Sequence, residues 1–192
     1  MPPLLPVTKA LVLICVGLFS LFFLLPPTYQ SIFMLWPVQS GRFEAWQLLT
    51  YAFLHANVAH LFFNMFGLTM FGNELEQTLG RPRYLLLLLA STLSAALVQL
   101  AIPPLFGGAA PTVGASGALF GLLLGQGMMF PDRIVEPVFP SIPMKVKYFV
   151  FIFGALELVL GLGGATGVAH FAHLGGMVGA WVLLRYWRRR RR

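Results

Sequence analysis

Charge is what this sequence has least of. Of its 192 residues only 10% are Asp, Glu, Lys or Arg, while 58% are hydrophobic; a soluble domain carries roughly a quarter charged residues. That shortage excludes an ordinary water-facing globule, because so much apolar surface does not fit inside one core, and the solvent must be largely lipid. Acidic residues are the scarcer sign, six against thirteen basic. Cysteine is nearly absent. The single Cys15 excludes internal disulfides and a cysteine-rich metal site. It sits in an apolar run without a polar neighbour to ionise it, so it reads as a small core residue.

The net charge of +7 does not point to a nucleic-acid partner. Arg185 and the five arginines from Arg188 to Arg192 directly follow an apolar stretch, which is the pattern of a juxtamembrane anchor at an anionic leaflet. A bilayer crossing takes roughly 17–25 apolar residues. Six segments qualify, at about 10–25, 58–75, 84–106, 113–130, 146–163 and 167–187, so the expected fold is an all-α membrane protein, one bundle over residues 1–192. Breaks fall at Pro26-Pro27, Gly80-Arg81-Pro82, Gly107-Gly108 with Pro111, the prolines 131, 137, 140 and 143, and Gly161, Gly163 and Gly164. The first segment has no small-residue cleavage site and runs into Pro-Pro, so it is expected to be a retained helix rather than a signal peptide.

With six crossings both termini share a side. Lys9, Arg81, Arg83, Arg133, Lys145, Lys147 and the six tail arginines fall on it, and only Arg42 falls opposite. The termini are therefore expected in the cytoplasm. The outward-facing stretch at about 26–57 is too hydrophobic for a plain linker and is expected to lie in the membrane interface with its tryptophans at headgroup level.

Polar side chains at membrane depth are costly unless they are paired or functional. His60 and Asn64 open the second helix on one face, Ser116 opens the fourth, and His170 and His173 open the sixth. All three helices run inward from the outer side, so charge alone puts His60, Asn64, Ser116 and His173 in one layer. A serine hydroxyl needs a base, and histidine suits the task near neutral pH. The resulting oxyanion needs donors: the Ser116 amide at a helix N-terminus, with the side chains of His60 and Asn64. No carboxylate is expected in this layer, which favours a Ser–His dyad. Gly176 and Ala180 share the face of His173 and allow close helix approach, and Gly117, Gly121 and Gly125 make a second small-residue stripe. His170 is turned roughly 100° from the small surface that His173 shares. With His55 it reads as an accessory polar residue near the surface, and Glu157 has no assigned role.

At these residues the sequence resembles the rhomboid proteases over nearly the whole chain. The stretch from Trp46 to His55 is similar to the end of that family's first loop. His60-Leu61-Phe62-Phe63-Asn64 resembles its oxyanion motif, Gly114-Ala115-Ser116-Gly117 its nucleophile motif, and Ala172-His173-Leu174-Gly175-Gly176 the element carrying its histidine. The segment from Gly72 to Gly80 resembles a structural element whose carboxylate is Glu76. The resemblance implies a six-helix, rhomboid-like bundle with a water-filled cavity open outward. It also implies an intramembrane serine endopeptidase cutting single-pass membrane proteins near the outer end of their transmembrane segment. Ser116 and His173 would be catalytic, His60, Asn64 and Ser116 the oxyanion hole, and Gly114, Gly117, Gly176, Trp46 and Glu76 the structural support, with no cofactor or metal. Two departures stand out: Gln47 follows Trp46 where relatives carry arginine, and Phe120 stands where many carry tyrosine. The compact chain points to a bacterial plasma-membrane enzyme. Rival expectations are an inactive rhomboid-like factor binding membrane clients, and a transporter relaying protons through histidines. The first class typically loses the Ser or His, and the second usually shows internal repeats, which this sequence lacks.

Overall fold

A computed structural model describes residues 3–106, 108, 110–136, 141–163 and 167–190. Along the chain run α1 (Pro6–Leu24), α2 (Pro27–Ser31), α3 (Gln47–Thr50), α4 (Val58–Gly67), α5 (Asn73–Leu79), α6 (Arg81–Ala101), α7 (Ser116–Met129), β1 (Ile134–Val135), β2 (Met144–Lys145), α8 (Val146–Gly163) and α9 (His170–Arg189). This is an all-α, multi-pass membrane protein. Pro6–Leu24, Arg81–Phe106 and Val146–Gly163 are each long and apolar enough to cross a bilayer. The six expected segments correspond in order to α1, the continuous helical stretch 58–79, α6, α7, α8 and α9. The breaks read at Gly107, Pro137, Pro140 and Gly164, and the arginines at 191 and 192, lie outside the described residues.

The helix ends follow from local chemistry. Pro6 supplies the first position of α1, four residues ahead of the expected start. Gly80, at φ +73°, donates its amide to the Glu76 carbonyl and accepts from the Tyr84 amide, so one glycine ends α5 and begins α6. The side chain of Asn57 caps α4 by accepting from the His60 amide at 2.8 Å. Between α4 and α5, Leu68–Gly72 widens into a π turn. Its Phe71 carbonyl is taken up by Gln126 Nε2 of α7 at 3.2 Å, which is how such an insertion is tolerated inside a bundle. The hydrophobic pattern carried no sign of this turn, nor of the β1–β2 hairpin in the proline-rich connection before α8.

Small residues set the helix packing. Gly175 of α9 lies against Ser94, Ala95 and Val98 of α6, and Gly176 lies so close to the Gly117 backbone of α7 that any Cβ there would collide with the Gly117 carbonyl. Cys15, Met65, Leu75, Tyr84, Leu87 and Leu122 form the main core. At the far end of the bundle, Glu76 is 3% exposed. It accepts hydrogen bonds from the amides of Val7 and Thr8 at 2.9 and 2.8 Å and from the Thr8 hydroxyl at 2.9 Å, capping α1 from another helix. Arg133 pairs with Glu74, Arg83 stacks over Trp187, and Asp132 accepts from Lys145 and Lys147. These charged side chains gather at the end where Glu76 lies.

The stretch 26–57 is folded into α2, α3 and two 3₁₀ turns, with Tyr29, Ile32, Phe33, Trp46 and Leu49 exposed, as an interfacial element requires. Trp46 donates from Nε1 to the Ile32 carbonyl at 3.3 Å. Gln47, only 2% exposed, is the loop's anchor. Its Oε1 accepts from the Trp36 amide at 3.1 Å, and its Nε2 donates to the carbonyls of Ile32 and Arg42 at 3.2 and 3.0 Å. An arginine has no acceptor and could not serve Trp36. Gln47→Ala is expected to cost about 2–3 kcal/mol, since it orphans buried polar groups, and Gln47→Arg is expected not to restore it. Thermal unfolding of the purified variants checks both.

Candidate active site

Three chain segments converge at the opposite end. The first is the loop 110–115 leading into α7, which is pinned from both sides. Leu35 and Thr112 exchange backbone hydrogen bonds at 3.0 and 2.9 Å, and the Gly114 amide donates to the Tyr51 carbonyl at 2.9 Å. This connection delivers Ser116 as the first residue of α7, so its amide lies among the unpaired donors of a helix start. The helix begins three residues later than the sequence expectation. The second segment is the start of α9. There His173 Nε2 lies 2.7 Å from Ser116 Oγ, and Phe120, one turn into α7, stacks on the imidazole with centroids 4.3 Å apart and planes 5° from parallel. The phenyl ring thus keeps the packing without a hydroxyl.

The third segment is the start of α4. A Cβ placed on Gly114 would lie 2.7 Å from Cε1 and Nε2 of His60 and 3.7 Å from Ser116 Oγ, so the His60 ring borders the serine across a residue that has no side chain. His60 Nδ1 accepts from the Ala56 amide at 3.4 Å, which assigns the proton to Nε2 and turns a donor toward the serine. Asn64, one turn on, is buried, with one amide hydrogen given to the His60 carbonyl at 2.8 Å. Gly114 itself stands at φ +124°, a backbone conformation that glycine alone adopts without strain. Gly114→Ala is therefore expected to displace the His60 ring and to lower activity about a hundredfold, measured as the initial rate of substrate cleavage, with thermal stability reduced much less than activity.

Two expectations are corrected here. His55 and His170, read as lying near the surface, are 2% and 5% exposed. Burial, with the neighbouring His60 as the lesser cause, pushes the His55 imidazole down to about 4, so it adds no positive charge beside His60 near neutrality. The layer also holds a carboxylate. Glu157 Oε2 of α8 lies 2.6 Å from His170 Nδ1 and 2.8 Å from His173 Nδ1. By sequence Glu157 is expected deep in the fifth segment, with no assigned role. Glu157 lies about 9 Å before the end of α8 and His173 about 4.5 Å into α9, so both stand near the end where the two helices meet, and their side chains span the remaining difference. The overlooked signal was the lone carboxylate in an apolar helix, which demands a partner.

Glu157, His170 and His173 present donor atoms within 4.8 Å of one another, close enough to hold a divalent cation. A cation on His173 Nδ1 would leave that ring's proton on Nε2, where it could not receive the proton of Ser116. Metal ligation and base chemistry are thus alternative uses of the same imidazole. With the proton on Nδ1, the arrangement offers a nucleophile, a base in contact with it, and donors from the Ser116 amide and His60 beside it, as acyl transfer requires.

The Rhomboid domain family matches residues 42–190. The chain is 37% identical to RHOMBOID-like protein 6, mitochondrial, of Arabidopsis thaliana over 141 residues, which is 70% of this chain and 41% of that protein. It is 36% identical to RHOMBOID-like protein 1 of the same plant over 74% of this chain and 34% of that protein. To the Rhomboid protease GlpG of Klebsiella pneumoniae it is 29% identical over 90% of this chain and 59% of that protein. The chain thus spans about a third to three fifths of the length of these curated relatives.

Proposed function

Because the chain belongs to the rhomboid family, we propose that it is an intramembrane serine endopeptidase with Ser116 as nucleophile and His173 as base. The observation that carries this reading is the 2.7 Å contact between Ser116 Oγ and His173 Nε2, made where two helix starts meet. In the proposed reaction His173 Nε2 takes the hydroxyl proton as Oγ attacks the scissile carbonyl. The oxyanion is held by the Ser116 amide with the side chains of His60 and Asn64. The imidazolium then returns its proton to the leaving amine, and water releases the acyl group by the same route in reverse. No cofactor enters these steps.

The substrates are proposed to be single-pass membrane proteins, cut near the outer end of their transmembrane segment. The arrangement we infer is one rhomboid domain over residues 1–192, with six crossings and both termini cytoplasmic. The site would then open to the outer face of the plasma membrane, through the water-filled cavity that hydrolysis requires. Support comes from the gathering of basic loops at the end remote from Ser116. The inactive, client-binding alternative gains nothing from a site in which both the serine and its base are in contact.

A fluorophosphonate probe tests the reading. Purified wild-type protein should be labelled at Ser116, and His173→Ala should lose the labelling while keeping its thermal stability. A folded wild type that is not labelled and leaves tagged single-pass substrates uncut would count against it.

A further inference from the structure

We propose that Glu157 is a positioning residue for the His173 base, so that the working group is Ser116–His173–Glu157, with His170 holding the carboxylate in place. The proposal rests on the reading of Ser116 and His173 as nucleophile and base. Imidazole can receive the serine proton at Nε2 only if its own proton sits on Nδ1. Ring stacking does not decide this. Phe120 fixes the plane of the His173 ring, but it has no polar atom and accommodates a ring flip equally well. Glu157 breaks that degeneracy, because its Oε2, 2.8 Å from Nδ1, attracts a protonated nitrogen and repels a lone pair. The same charge stabilises the imidazolium that forms as the serine attacks.

The oxygen lies off the line of the His173 N–H, so the contact is close without being an aligned hydrogen bond. Stabilising an imidazolium needs proximity rather than alignment, and catalytic hydrogen bonds commonly tighten when substrate binds. The placement of Glu157 is informative in itself. The buried residues of α8 are Val146, Phe149 and Val150 near its start, and then Glu157 alone. A carboxylate that served only to fasten α8 to α9 would be satisfied by His170 Nδ1 at 2.6 Å. Here a single oxygen faces both rings, and the His170 contact keeps it turned toward His173.

The experiment compares full-length wild type, Glu157→Gln, Glu157→Asp and Ser116→Ala in detergent, with two readouts. The first is the ¹⁵N NMR signature of His173, assigned by its loss in His173→Gln. In wild type at neutral pH it should show a protonated Nδ1 and an unprotonated Nε2, in Glu157→Gln a mixture of tautomers, and in Glu157→Asp the wild-type pattern. The second is the pH dependence of cleavage of a tagged single-pass substrate. Glu157→Gln should lower kcat by about a hundredfold to ten-thousandfold with KM little changed, and move the acidic limb of the profile to lower pH. Glu157→Asp should recover part of the rate. An unchanged His173 tautomer in Glu157→Gln overturns the proposal, as does a rate loss that aspartate does not rescue and that merely follows a loss of thermal stability. The NMR readout needs no turnover, so a wild type that fails to cleave sinks the protease reading, while the role of Glu157 toward His173 is still decided.

Discussion

Ser116→Ala should abolish proteolysis, with a loss of about a millionfold in kcat, or about 8 kcal/mol of transition-state stabilisation, and leave the protein folded. The fold should survive because the serine hydroxyl's partner is the His173 ring, α7 takes no side-chain cap, and alanine is a good helix former. What survives of the rate should come from the oxyanion donors and from substrate positioning. Adding His173→Ala to Ser116→Ala should therefore cost almost nothing more, because a base without its nucleophile has no proton to take. Initial rates on a tagged single-pass substrate check both statements. More than about a hundredth of the wild-type rate in Ser116→Ala would mean that another group performs the attack.

Glu76→Ala should be the most damaging change to the fold. It removes one carboxylate, orphans two amides at the start of α1 and leaves the Thr8 hydroxyl with Tyr84 as its remaining partner. Hydrogen bonds to a charged acceptor contribute about 1.5–3 kcal/mol each, and the N-terminal end of the helix dipole adds to the attraction. Because the three are not independent, the expected loss is about 3–5 kcal/mol, or roughly a 10 °C fall in Tm for a chain of this size. Glu76→Gln keeps one acceptor oxygen and should fall between the two. A Tm for Glu76→Ala within a degree or two of wild type would show that α1 docks without its cap.

Much of this architecture was readable because lipid imposes a coarse rule. Apolar length marks a helix, charge marks a loop, and an uncharged turn must pass between them. The bounds expected for the fifth segment, 146–163, coincide with those of α8, although Lys147 and two of the glycines read as a break, Gly161 and Gly163, lie inside the helix. Ser116 and His173 were readable because a polar residue in lipid is conspicuous. Glu157 was just as conspicuous, but its partner was not, since a contact between two helices depends on depth measured from the turn and not on any spacing along the chain. Gln47 was visible only as a departure, and its task was hidden for a different reason. Set against arginine it looks like the loss of an anchor, whereas its carbonyl oxygen performs a task that arginine cannot. The π turn before α5 had no signature at all, because the residue that compensates for it, Gln126, lies on another helix.

The cap on α1 also bears on biosynthesis. The donors are residues 7 and 8 and the acceptor is residue 76, so α1 cannot be fastened until the helical stretch 58–79 has followed it out of the ribosome. At about 5–20 residues per second that delay is several seconds. During it α1 must wait in the bilayer with its first-turn amides open. Few of its side chains are ever buried, Thr8 and Cys15 among them, so side-chain packing offers it little hold in the meantime. The docking of α1 should therefore lag its own synthesis, waiting on the stretch that carries Glu76 and not on the helices beyond it.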